Sequence, residues 1–177
     1  MYFQKTDFSH PEHNSGHLAL LQHVLLWGAP LLFGLVGLAL GKVASWDFLN
    51  YHWYNPHALL HGRLGMDMAV AHHATFYNPL LDVPFYLAAR NLPAWLAGFL
   101  LATVQGVNFS LLCLLAYAVL PLVNDRHRFA AAVVVALAGM GGAGAFGQIG
   151  ESAGDNLASL GILAMLLVFA RQWPRLS

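Results

Sequence analysis

Three carboxylates stand at positions where their type and spacing could do chemistry. Asp47 lies in "SWDFLNYHWYNPHALLHGR", Ser45 to Arg63, directly after a long apolar run, while Glu151 and Asp155 stand four apart in "GQIGESAGDNLASLG", Gly147 to Gly161. Acids gathered above a cavity can act as general bases and can hold a cation or a hydroxyl group. A carboxylate at the exit of a membrane span costs desolvation energy unless it faces water or a partner, so Asp47 is a functional candidate. The plainer reading is helix capping. Ser45 or Asp47 would cap the helix that follows, and Asp155 with Asn156 would cap the last apolar run, at the positive end of its dipole. If residues 46–55 form one α-helix, Asp47, Tyr51 and Tyr54 share a face at i, i+4 and i+7, with Trp46, Asn50 and Trp53 on another. The tryptophans also suit the aromatic belt at a membrane boundary.

The same stretch is rich in cationic and ligating groups. His52, His57 and Arg63 could offset charge developing on an anion, Arg63 being equally suited to a lipid headgroup. His57 and His61 are four apart, and His72 and His73 follow in the same segment. A metal- or haem-binding membrane protein is therefore one rival reading. Gln105 to Ser110, with Asn, Gln and Gly inside an apolar run, supports another, a transporter or channel subunit. His10, His13 and His17 stand among Ser, Pro and Asn and read as a solvated tail. The lone cysteine, Cys113, lies in an apolar run and reads as a buried small hydrophobe. Gly37 and Gly41 have the spacing of a helix-packing pair, and "GMGGAGAFG" is a small-residue seam without the Lys and Ser/Thr of a phosphate loop.

Positioning these groups falls to apolar helices. The chain is 58% hydrophobic and 9% charged, a composition that leaves too little polar surface to cover a soluble domain. Lys plus Arg equals Asp plus Glu, eight against eight, which argues against a nucleic-acid partner and against a polybasic membrane patch. The expected fold is all-α: a polytopic transmembrane helical bundle with a long outer loop containing short interfacial helices. Spans are predicted over 18–40, 94–123, 129–146 and 156–170, the last two rich in Ala and Gly and suited to burial among other helices. Residues 1–17 form a tail, 41–93 the loop, and 80–89 are too short to cross. The first apolar run is longer than a signal-peptide core and reads as an uncleaved anchor. Arg126, Arg128, Arg171 and Arg175 flank spans, whereas the 146–155 connection carries no Lys or Arg. This places the amino terminus, the 124–128 turn and the carboxyl terminus in the cytoplasm, and Asp47, Asp67, Asp82, Glu151 and Asp155 outside.

The order of cytoplasmic amino terminus, one span, an acid directly after it, further spans and a second acid at the outer start of the fourth resembles the GT-C superfamily of integral membrane glycosyltransferases. That superfamily includes protein O-mannosyltransferases and the aminoarabinose transferases of lipid A. "SWDFLNYHWYNPHALLHGRLGMD" is similar to the first outer loop of bacterial members, and "YNPLLDVPFYLAA" to the stretch leading into their second span. The resemblance implies a multi-pass protein of the plasma (inner) membrane that moves a sugar from a polyprenyl-phosphate donor to an acceptor hydroxyl with inversion. It implies that Asp47 is the catalytic base and that Asp155 with Glu151 assists acceptor or metal binding, a divalent cation being the one cofactor it suggests. Tyr51, His52, Tyr54, His57 and Arg63 are the expected substrate-binding residues. Members of the superfamily have many more spans, so the expectation is either that 94–177 is part of a larger transmembrane domain or that the chain is a truncated relative, inactive alone.

Overall fold

The computed structural model describes residues 15–41, 45–67, 71–121, 124–142, 147–152 and 154–176. Among these residues the secondary structure is helical throughout, with no strand. Helix α1 (Ser15–Leu40) leads to a π-helical turn (Phe48–His52) and the short α2 (Tyr54–Leu60). Two 3₁₀ turns (His72–Phe76 and Pro79–Leu81) then precede α3 (Val83–Asn91), α4 (Ala94–Val119), α5 (Asp125–Met140) and α6 (Gly154–Leu176). The histidines at 10 and 13, Lys42 and most of the small-residue seam after Gly142 lie outside the described residues.

Among the described residues, three helices are long and apolar enough to cross a membrane: Gly16–Leu40, Ala94–Val119 and Gly154–Gln172. Of the four predicted spans, the third falls short. Helix α5 has 16 residues, about 24 Å at the usual rise, and reaches Gly141 before it could cross the roughly 30 Å hydrocarbon layer. Burial holds for one face only: Ala132 and Ala136 are fully buried against α4, whereas Ala130, Ala138, Val134 and Leu137 are exposed. The expectation of burial fails for α6. Ile162, Met165, Val168 and Phe169 are all exposed, because α6 packs along one side of α4 and turns its remaining apolar faces outward.

Helix α4 is the central post, packed against α1, α5 and α6. Its contact with α1 is close because Gly106 lies against the Pro30 and Ala29 backbone and Gly37 against Ala102, where a Cβ would collide. Gly41, the other glycine of the pair, has no atom of the described residues within 4 Å of where a Cβ would stand. It ends α1 in the left-handed region at φ +95°, where glycine is favoured. Pro30 stands inside α1 and has no N–H to give to the Leu26 carbonyl; the Ser110 hydroxyl of α4 donates to that oxygen at 2.7 Å. Ala29, Phe109, Cys113 and Ala136 form the apolar centre of the bundle, with Phe33 tilted against Phe109. His23 bonds within its own helix, Nδ1 lying 2.7 Å from the Ala19 carbonyl.

Two ends result. The end of α1, the start of α4 and Gly150, just before α6, meet around one groove. At the other end Tyr117 of α4 donates to Asp125 of α5, and Arg128 lies over the Tyr117 ring.

Candidate functional site

The residues after α1 begin with a cap that leaves the acid free for other work. The Ser45 hydroxyl accepts from the Phe48 N–H at 3.2 Å, while Asp47 has helical backbone angles and makes no side-chain cap bond. Ser45 also donates to Glu151 Oε2 at 3.3 Å, tying this segment to the one that precedes α6. The helix then widens. Trp53 N–H bonds back five residues to the Phe48 carbonyl rather than four, so the turn holds about one residue more than an α-helical turn. This shifts the register. Asp47, Tyr51 and His52 look to one cavity, whereas Tyr54, predicted on the same face, turns to a different cleft.

That cavity, of about 560 Å³, is lined from three parts of the chain: Ser45, Asp47, Tyr51 and His52; Tyr77, Asn78, Leu81 and Asp82; and Gly147, Gln148, Glu151, Gly154 and Asp155. The three predicted catalytic acids therefore share one concave site although about a hundred residues separate them. The loop before α6 is held there by amides. Asn108 of α4, buried, donates to the Asn156 carbonyl at 2.9 Å, and Asn156 donates to the Gln148 carbonyl at 2.9 Å. Tyr51 packs edge-on against Tyr77 and tilts over His52. Burial first, and the neighbouring Asp47 carboxylate second, push its phenol up to about 12.

Asp82 is the residue that sequence reasoning missed. It is 8% exposed, stands at the head of α3 without capping it, and sends Oδ1 to His52 Nδ1 at 2.9 Å. Sidedness placed it with the other outer acids, but its setting in "NPLLDVP", where Asn78 caps the 3₁₀ turn and Pro79 opens it, reads as turn chemistry.

Tyr54, His57 and Arg63 do not join the acids. With Trp53 and Asp67 they line a second, more open cleft. Asp67 accepts from the Tyr54 hydroxyl and from Arg63, whose Nε and second terminal nitrogen reach its two oxygens at 2.9 and 2.5 Å. This pairing holds the Asp67 carboxyl below the usual range, Arg63 being the larger cause and Tyr54 the next. The Tyr54 phenol is raised, by the bond to Asp67 and then by burial. His57 Nδ1 lies 2.8 Å from the Tyr86 hydroxyl, which also accepts from Arg90. Burial, then His61, Arg90 and Arg63, lower its pKa. His57 and His61 stack at 4.2 Å, and among the described residues no three His, Cys, Asp or Glu side chains converge to hold a metal ion. Trp46 is exposed, as a boundary residue would be, but Trp53 packs on Tyr86 and Phe48.

Beside the acidic cavity runs an apolar groove of about 440 Å³ between the end of α1, α3 and the start of α4. Phe48 and Gly150, the chain neighbours of Asp47 and Glu151, form part of its wall. Compared with known proteins, the chain matches no family model, no curated protein and no solved structure.

Proposed function

We propose that this is a multi-pass membrane glycosyltransferase, acting on a polyprenyl-phosphate sugar at the non-cytoplasmic face of the plasma membrane. One observation carries the reading: Asp47, Glu151 and Asp155, from opposite ends of the chain, line the same cavity. Carboxylates are the side chains that accept hydrogen bonds from sugar hydroxyls and draw a proton from an attacking one. A lipid-linked sugar also needs an apolar bed next to that polar site, and the groove bounded by Phe48, Phe85 and Trp95 offers one of suitable chemistry. The acid-rich cavity fits the hydroxyl-rich sugar better than the second cleft does, since there the one acid, Asp67, is held by Arg63 and Tyr54.

In this reading an acceptor oxygen attacks the anomeric carbon from the face opposite the departing lipid phosphate, and the sugar inverts. Glu151 and Asp155 hold hydroxyls. Two groups in the cavity could take the acceptor proton, Asp47, as the family resemblance implies, and His52. Basic Arg126 and Arg128 at the α4–α5 turn support a cytoplasmic position for that end and an external one for the cavity.

The test is direct. The gene product carrying this chain, reconstituted in liposomes with polyprenyl-phosphate hexoses and pentoses and a panel of hydroxyl-bearing lipid and peptide acceptors, should release polyprenyl phosphate, and Asp47→Asn, Glu151→Gln and Asp155→Asn should each lower kcat/KM by about tenfold or more. Release that is absent in the wild type, or unchanged in all three variants, would end the proposal.

A further inference from the structure

The cavity holds one imidazole among its acids, and that imidazole is held by the most buried of them. His52 ends the π-helical turn; Asp82 stands at the head of α3, 8% exposed, with its carboxylate 2.9 Å from His52 Nδ1. An ionised carboxylate only accepts, so Nδ1 carries the hydrogen and the neutral ring keeps its lone pair on Nε2. The bond costs α3 a cap that an aspartate at that position could make, and the side chain goes to His52 instead. Tyr51, tilted over the ring at 4.3 Å, restricts its rotation.

We propose that His52 is the proton acceptor of this cavity and that Asp82 is the positioning residue that aims it. This rests on the sugar-transfer reading and replaces the base which that reading takes from resemblance. The acceptor O–H proton moves to His52 Nε2 as the acceptor oxygen bonds to the anomeric carbon. The carbon–oxygen bond to phosphate breaks, and its electron pair leaves with the lipid phosphate. The imidazolium so formed has both N–H groups occupied, Nδ1 facing the Asp82 counter-charge, and later returns its proton to water. A histidine suits this step because one ring nitrogen can take a proton while the other donates to a carboxylate. Asp47, beside the Tyr51 phenol on the cavity wall, then binds substrate hydroxyls.

The two assignments separate in kinetics. In the liposome assay His52→Gln should lower kcat by about 10²- to 10⁴-fold with KM nearly unchanged, and Asp47→Asn should chiefly raise KM. Asp82→Asn is nearly isosteric and carries the test if His52→Gln does not fold. Its amide can donate to Nδ1 and so favours the opposite tautomer, which should also lower kcat by about 10²-fold or more. Nitrogen NMR of His52 should show hydrogen on Nδ1 in the wild type and on Nε2 in Asp82→Asn. Transfer that survives His52→Gln and Asp82→Asn but is lost in Asp47→Asn would overturn this proposal and leave the enzyme reading standing. Hydrogen on Nε2 in the wild type would likewise overturn it, while no transfer by the wild type would overturn both.

Discussion

Tyr51 reports most directly on the wall of the cavity. Its phenol is raised to about 12 by burial and, second, by Asp47, so it stays protonated at any ordinary pH. The sign for stability follows from linkage. A raised folded-state value favours the protonated form, so the contribution is fully present below about pH 10, the unfolded value, and is lost as pH rises through 12. Spectrophotometric titration should therefore show a tyrosine ionising near 12 that is absent from Tyr51→Phe. Asp47→Asn should bring that component down part of the way toward 10, since burial remains. An unchanged late component in Asp47→Asn would mean that the carboxylate does not face Tyr51. The same comparison shows where side-chain type misleads. Arg63 and His57 were natural choices for a cation in the site, but both line the separate cleft, where Arg63 is paired with Asp67.

Among the elements, the contact between α1 and α4 depends on a proline and a serine in different helices. Pro30 leaves the Leu26 carbonyl without its helical partner, and Ser110 donates to it across the interface. In a lipid environment no water replaces that hydrogen. Ser110→Ala should cost about 1 kcal/mol of stability in detergent unfolding experiments. In a Pro30→Ala background the new N–H would satisfy Leu26, and the cost of Ser110→Ala should nearly vanish. An equal cost in both backgrounds would show that the hydroxyl contributes by packing alone. The π-helical turn is the other element that matters. A one-residue change in register brings His52 into the cavity with Asp47 and Tyr51 and removes Tyr54, so the composition of the site follows from a single widened turn.

For the whole molecule, α4 holds α1 and α6 so that the segment that follows α1 and the beginning of α6 line the same cavity. With Cys113 replaced by alanine, cysteines at Ser45 and Glu151 should cross-link with an oxidant or a short bifunctional reagent, because their side chains meet at 3.3 Å. Cysteines at Ser45 and Asp125 should not, since Asp125 belongs to the opposite end of the bundle beside Tyr117. Gel mobility of the linked and unlinked chains reads both. The reverse result would dissolve the cavity and with it the enzyme reading.

Apolar content and the length of its runs were enough to establish helices of membrane-crossing size, because hydrophobic burial depends on composition more than on partners. They also located the Asp47 and Asp155 segments at helix ends, where local capping signals act. They overstated α5, whose apolar run passes through a helix end at Gly141, and they treated α6 as buried, which depends on neighbours and not on its own residues. The site was only half contained in that information. The basic residues put Asp47, Glu151 and Asp155 on one side of the membrane, but that they line one cavity depends on α4 holding two distant segments together. The His52–Asp82 bond spans 30 residues and no periodicity announces it. Pairing between side chains remote in sequence is set by how helices pack in three dimensions, and it is there that the distinction between a row of acids and a site with a directed proton acceptor arises.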